Sequence, residues 1–224
     1  MEELGKIKQI DFDILGYKLV FNIETIIMTC IVIFVLILFS VLARSRMGLI
    51  PNPFQVIAET LAKIFYNLCE DALGQELAPK YFKLIFSLFL FIWLSNIIGI
   101  VPIFSEPTKD LNTTLSLGVL GFIIAHYSGI RAKGIKQYLK EYCEPIFFMA
   151  PLNVIGELAK VVSISFRLYG NIMGGGIIII VVSHLLWQIL LPPALLFFFG
   201  IFVGTVQAFV FTMLTLVYIS LQVR

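Results

Sequence analysis

Apolar residues come in long unbroken runs along this chain, and most charged residues sit in the gaps between them. Residues 23–43 (IETIIMTCIVIFVLILFSVLA) form the first run, matching the roughly 20 residues that cross a hydrocarbon core as a helix. Residues 83–104 and 112–130 form a second and a third, which read as a helical hairpin over 83–130. The connection SEPTKDLNTT between them is rich in turn formers. Two further apolar blocks, 145–190 and 192–222, are divided by Leu191-Pro192-Pro193. The segment 52–78 differs. Its apolar residues Phe54, Ile57, Leu61, Ile64, Phe65 and Leu68 recur at helical spacing, with Glu59, Lys63, Asn67, Glu70 and Asp71 mostly on other faces. That pattern predicts an amphipathic helix lying on the membrane surface, or equally one packed against a partner subunit. The expected fold is an all-α polytopic membrane protein, a single membrane domain over 1–224. It comprises an N-terminal segment 1–22, about five crossing helices, the surface helix, and a long, steeply tilted pair over 145–222.

The last two blocks are too long for upright spans. Residues 151–189 as one helix would reach about 58 Å at about 1.5 Å per residue, against a bilayer core of about 30 Å. Such a helix must tilt or break, and Gly174-Gly175-Gly176 offers a bend. The plainer alternative is one upright span with an amphipathic extension.

Composition narrows the function. The chain is 59% hydrophobic and 13% charged, well below the charged content of about 25% in an average soluble domain. A net charge of +2, with no basic patch interleaved with aromatics, gives no reason to expect a nucleic-acid partner. Cys30, Cys69 and Cys143 are too widely spaced to indicate a zinc site or a disulfide framework. No metal or cofactor is expected. The first residues alternate charges without an apolar core, unlike a cleavable signal peptide. Arg44 and Arg46 follow the first run, and Arg131, Lys133, Lys136 and Lys140 follow the third. The intervening loop carries Glu106, Lys109 and Asp110. By the positive-inside rule the N-terminus lies outside and the C-terminus in the cytoplasm.

Polar residues inside the long block are not scattered. Asn153, Glu157, Lys160, Ser163, Arg167, Asn171 and Gly174 follow at steps of three or four, so they share one helix face. The last block answers with Gly200, Gly204, Thr205, Gln207, Thr212, Thr215 and Gln222 at near-helical intervals. Small and hydroxylated residues of this kind are often packing devices. Arg167 is different, being the only charged side chain between Lys160 and Arg224. An ionised group near the centre of a membrane helix costs about 2.5–3.5 kcal/mol on insertion scales and usually marks an ion pathway or a counter-ion. The alternative is a guanidinium that snorkels to the surface or caps carbonyls.

These residues resemble a family. PLNVIGELAKVVSISFRLYGNIMGG (151–175) is similar to the signature helix of subunit a of F-type ATP synthases, approximately P-x-N-x(3)-E-L-x-K-P-x-S-L-x-x-R-L-x-G-N-x-x-G. LSNIIGIVP (94–102), PTKDLNTTLSL (107–117) and VQAFVFTMLTLVYIS (206–220) resemble further motifs of that family, in its order. The resemblance implies a non-catalytic stator subunit of a bacterial plasma membrane complex. Its two inclined helices would lie against a rotating ring of c subunits, beside a b-subunit peripheral stalk and the remaining synthase subunits. It implies that Arg167 separates two half-channels for H+ or Na+, with Asn171, Gln207, Ser163 and Glu157 around it. Asn96, Asp110, Asn153 and Lys160 are candidates for the access paths. His184 is a candidate relay, although a lone histidine near a helix end is more often interfacial. Many family members carry Glu or His at the positions of Gly176 and Gly200, so the transported ion stays open between H+ and Na+. A secondary transporter or a passive channel using Arg167 as counter-ion is the alternative. The first would be expected to show inverted repeats, and none is apparent. Neither hydrolase signatures nor a phosphate-binding G-x(4)-G-K-[ST] occurs, so ATP chemistry would belong to partner subunits.

Overall fold

The computed structural model describes residues 9–14, 17–44, 53–101, 104–143, 150–185 and 191–223. A short antiparallel hairpin comes first, β1 (Gln9–Ile14) and β2 (Tyr17–Asn22). Its backbone register sets Phe12 opposite Leu19 and Asp13 opposite Lys18. Helices follow: α1 (Ile23–Arg44), α2 (Pro53–Leu73), α3 (Ala78–Ile97), α4 (Leu111–Lys133), α5 (Ile135–Cys143) and α6 (Ala150–Leu185). The last stretch runs through α7 (Leu191–Leu196), a π-helical segment (Phe197–Val203) and α8 (Gly204–Val223). Among the described residues, five helices are long and apolar enough to cross a membrane: α1, α3, α4, α6, and Ala194–Val223. This is a multi-pass, all-α membrane domain with a β-hairpin ahead of it, and the hairpin was not foreseen.

Two glycines set the turns. Gly74 (φ 82°) ends α2 and Gly134 (φ 84°) divides α4 from α5, in a backbone region that costs glycine little. Gly134 N–H still donates to Ile130 O at 2.9 Å, closing α4 before the chain turns into α5. That short helix falls where the sequence suggested only a charged connection.

In lipid, apolar side chains gain little by facing inward, so close backbone approach has to hold the bundle together. The inner face of α4 supplies it with Thr114, Gly118, Gly121, Ala125, Ser128 and Gly129, all buried. A Cβ placed on Gly121 would stand 3.1 Å from Thr215 Cγ2 of α8, and one on Gly129 would stand 2.9 Å from the Gln222 carbonyl oxygen. Ile85 and Ile92 of α3, Leu168 of α6, and Phe211, Leu216 and Ile219 of α8 fill the centre.

The apolar positions of α2 divide between two faces. Phe65 and Cys69 are buried, while Ile57 and Ile64 are about half exposed. The Phe65 ring lies 4.5 Å from Phe89 and 5.6 Å from Phe86 of α3, and Ser220 Oγ of α8 donates to the Ala72 carbonyl at 2.7 Å. The helix therefore packs partly on its own chain. By contrast α1 is exposed along most of its length, and an apolar cavity of about 640 Å3 separates it from α2 and α3. Its N-terminal end is tied down: Asn22 Nδ2 donates to Asp110 Oδ2 at 2.6 Å and Thr25 Oγ1 to the same oxygen at 3.2 Å.

Helix α6 is continuous over 36 residues, about 54 Å at 1.5 Å per residue. The bend expected at Gly174-Gly175-Gly176 does not interrupt it. One reason is visible: Phe199 packs on Gly175, where a Cβ would approach its ring to 2.8 Å. Tertiary contact outweighs the weak helix preference of glycine here. Leu191-Pro192-Pro193 does not lie between helices but forms the first turn of α7, where prolines lose no intrahelical hydrogen bond. The second crossing starts at Ala78, five residues before the expected boundary at 83 (83 − 78), with Pro79 in its first turn. Residues 102–103, 144–149 and 186–190 of the expected spans lie outside the described residues.

Two expectations follow. Gly129→Ala forces its methyl against a backbone carbonyl and should destabilise the folded chain by about 1–3 kcal/mol. Gly156→Ala, where nothing lies within 4 Å, should be neutral or stabilising by up to about 1 kcal/mol. Thermal unfolding of the two variants in detergent compares them. Burial also pushes the Cys69 thiol up to about 11. At about pH 8 only about one molecule in a thousand should carry its thiolate, so maleimide should spare Cys69 until the protein is denatured. Rapid labelling of the native protein would contradict the packing of α2 on α3.

Candidate functional site

The polar residues of α6 straddle the edge of its buried face. Ile164, Ser165, Leu168 and Ile172 point inward, whereas Ser163, Arg167, Gly170 and Asn171 are exposed. Arg167 has no acidic partner among the described residues. One turn further on, Asn171 Nδ2 donates to Gln207 Oε1 of α8 at 2.8 Å. Gln207 itself is buried, and its Nε2 has no hydrogen-bond partner among the described residues. Beside the guanidinium the helix is smooth, since a Cβ on Gly170 or Gly174 would meet no atom within 4 Å. The arrangement presents a fixed cation, an amide pair and an uncrowded strip of helix to whatever lies alongside.

The π-helical turn aligns the neighbouring elements. It packs Phe199 against Gly175, Gly200 against Ile100 and Gly204 against Asn96. A Cβ on Gly200 would stand 2.7 Å from Ile100 Cγ1, so a side chain there requires Ile100 to move. Beside Gly176 lies Lys109, whose Nζ would be 3.7 Å from a Cβ at that position. Lys109 pairs with Glu106.

The remaining candidates fall in three places. Asn96 is buried at the end of α3, where Nδ2 donates to Gly204 O at 2.9 Å and Oδ1 accepts from Thr108 Oγ1 at 2.8 Å. This joins α3, the following loop and α8 three residues before Gln207. Asp110 is the N-cap of α4, accepting from Asn112 N–H at 2.9 Å, and it also holds Asn22 and Thr25. Its oxygens are thus engaged in joining α1 to α4. His184 is exposed at the far end of α6, with Nδ1 3.0 Å from Ile180 O of its own helix, and is not brought near Arg167.

Toward the start of α6, Lys160 Nζ donates to Glu157 Oε1 at 2.6 Å and stands 5.4 Å above the Tyr218 ring. Asn153, one turn before Glu157, is half-buried. This end of the stripe meets residues that the pattern did not bring forward. His126 of α4 lies 3.1 Å from the Tyr138 hydroxyl of α5, which donates to Gln222 Oε1 at 3.0 Å. The available signal was a histidine inside an apolar span. Among the described residues no group of three His, Cys, Asp or Glu side chains is placed to hold a metal ion.

Comparison with known proteins identifies the family. The ATP synthase A chain family profile matches residues 25–220. ATP synthase subunit a of Moorella thermoacetica is 37% identical over 197 residues, covering 88% of this chain and 89% of the relative. The same subunit of Helicobacter acinonychis is 34% identical over 199 residues, covering 87% and 86%. Helicobacter pylori strain Shi470 has a relative with the same identity and coverage. Subunit a is a non-catalytic membrane component of the synthase, and the ATP chemistry belongs to partner subunits. A five-span bundle and an arginine-bearing signature helix, matched over most of the chain, place this protein in the ATP synthase subunit a family.

Proposed function

We propose that this chain is the ion-translocating stator subunit of a rotary F-type ATP synthase. It forms two half-channels against the c-ring and couples H+ or Na+ flow to ring rotation. The observation that carries this reading is Arg167, exposed on an apolar helix with no acidic partner of its own among the described residues. A permanent charge on a membrane helix is stable only beside water or an opposite charge. A carboxylate carried past on the rotor supplies that charge.

Arg167 favours the ionised form of each arriving carboxylate, so the carboxylate releases its ion on one side and takes another on the other side. At about 4 Å and an effective dielectric near 20, such a pair interacts by about 4 kcal/mol before desolvation. Asn171 and Gln207 moderate the attraction by offering competing hydrogen bonds, so the ring does not lock. The guanidinium stays charged when buried, as an ammonium would not, and it repels any cation that tries to pass directly between the two paths. Each charge crossing 100 mV gains about 2.3 kcal/mol, so several crossings must add up to drive one ATP.

The smooth strip at Gly170 and Gly174 lets the rotor helix approach. The b-subunit stalk is the second partner. By the positive-inside rule Arg131, Lys133, Lys136 and Lys140 support an α4–α5 junction on the cytoplasmic side of a bacterial plasma membrane, with the N-terminus outside and the C-terminus inside. Asn153, Glu157, Lys160 and Ser163 then line the approach to Arg167 from the cytoplasm, and Asn96 shapes the approach from outside.

Replacing Arg167 with Ala removes the charge. With about 4 kcal/mol at stake, ion-coupled ATP synthesis by the reconstituted complex should fall by about a thousandfold, while the detached catalytic head still hydrolyses ATP. Coupling retained by the Ala variant would defeat the mechanism. Uncoupled ion conductance through the purified chain alone would favour a passive channel. Gly170→Leu should leave the stability of the chain unchanged yet suppress coupling, measured as ATP-driven ion uptake, because the side chain intrudes on the rotor path.

A further inference from the structure

The nine residues of α5 carry a different chemistry on each flank. With about 3.6 residues per turn, Ile135 and Leu139 share one flank and Lys136 and Lys140 the next, while Tyr138 lies on the other side of the apolar pair. Tyr138 is buried. A Cβ on Gly129 of α4 would stand 2.8 Å from its Cε2, and its hydroxyl donates to Gln222 Oε1 of α8 at 3.0 Å. Gly129 lies four residues before the end of α4 at Lys133 (133 − 129). Tyr138 therefore holds α5 back against the last turn of a membrane helix, at the edge of the hydrocarbon, and keeps it from projecting into water. Ile135 and Leu139, by contrast, are 64% and 60% exposed on their own chain.

We infer that α5 is an interfacial anchor for anionic phospholipid. Ile135 and Leu139 enter the acyl-chain boundary, and Lys136 and Lys140 meet the lipid phosphates. Charge complementarity identifies the occupant. Residues 131–140 contain Arg131, Lys133, Lys136 and Lys140 and no acid, with Glu141 following. Clusters of about four to eight cations directly beyond a membrane helix, or on an amphipathic helix, recognise anionic headgroups. The order of the flanks fits the same occupant. The bundle-facing Tyr138, the apolar pair and the lysines succeed one another around the helix, so α5 lying flat offers one flank to protein, one to acyl chains and one to phosphates. An acidic partner protein would cover the lysines from the aqueous side and leave Ile135 and Leu139 at the hydrocarbon edge.

The site is local to α5. Helix α2 also exposes apolar residues, Ile57 and Ile64, yet its charges are Glu59, Lys63, Glu70 and Asp71, an acidic balance that attracts no anionic lipid. By the positive-inside rule the leaflet at α5 is the cytoplasmic one.

The test places a photoreactive leucine analogue in place of Leu139 in the whole synthase, in bilayers of phosphatidylcholine with or without phosphatidylglycerol. Irradiation should yield lipid adducts, with phosphatidylglycerol enriched over its share of the bilayer. Lys136→Gln should lower that enrichment by about fivefold, Lys136→Arg should retain it, and Lys63→Gln on α2 should leave it unchanged. Enrichment in the wild type should also fall as salt is raised, which carries the test if the Gln variant fails to assemble. Lipid adducts without enrichment, enrichment indifferent to Lys136 and to salt, or adducts with a protein subunit in place of lipid overturn the anchor. The readout involves neither ion flow nor Arg167, so the half-channel reading is judged separately.

Discussion

A guanidinium that cannot lose its charge, on a helix otherwise suited to lipid, dictates the rest of the molecule. The fold does not neutralise Arg167 with an acid of its own among the described residues, and leaves it on an exposed flank of α6. Burying it without a partner would be strongly unfavourable, and pairing it internally would give it nothing to do. On the function proposed above, holding it at an open surface defers the electrostatic compensation to another molecule. The neighbouring features become intelligible in that light. The glycines at 170 and 174 leave space, and Asn171 and Gln207 form a polar contact at 2.8 Å on the inner side of the arginine.

That surface needs a rigid backing. Small residues on α4 bring its backbone close to α6 and α8, the geometry by which helices associate in lipid. The π-helical turn at Phe197–Val203 then sets the start of α8 against α3 and α6. Such turns often occur at functional sites. Here the turn places Gly200 and Gly204 against Ile100 and Asn96, while Gln207, three residues later, meets Asn171. Asn96 and Asp110 serve this framework through hydrogen bonds to Gly204 O and to the α1 and α4 termini.

Much of this was legible as pattern. Lengths of apolar runs locate crossing helices because the bilayer fixes how long a helix must be, and steps of three or four reveal the stripe on α6 because a helix has a fixed period. Features decided by tertiary contact were not legible. Gly174-Gly175-Gly176 reads as a bend, yet Phe199 packs onto it and the helix continues. No period marks a π-helical turn, and the prolines at 192 and 193 look like a divider although they open a helix. The dual role of Asp110, capping α4 and tethering α1, needs two elements distant in sequence to meet. His126 stood in the third apolar run, but its hydrogen-bonded contact with Tyr138, and through it Gln222, needs elements that only the fold brings together.

The most direct measurement asks what touches the smooth strip beside Arg167. A photo-cross-linking residue in place of Gly170, irradiated in the assembled complex within native membranes, reports the molecule lying alongside. If the arginine faces the rotor, the principal adduct is one rotor subunit per stator chain, identifiable by mass. Adducts with lipid or with the peripheral stalk alone would contradict it.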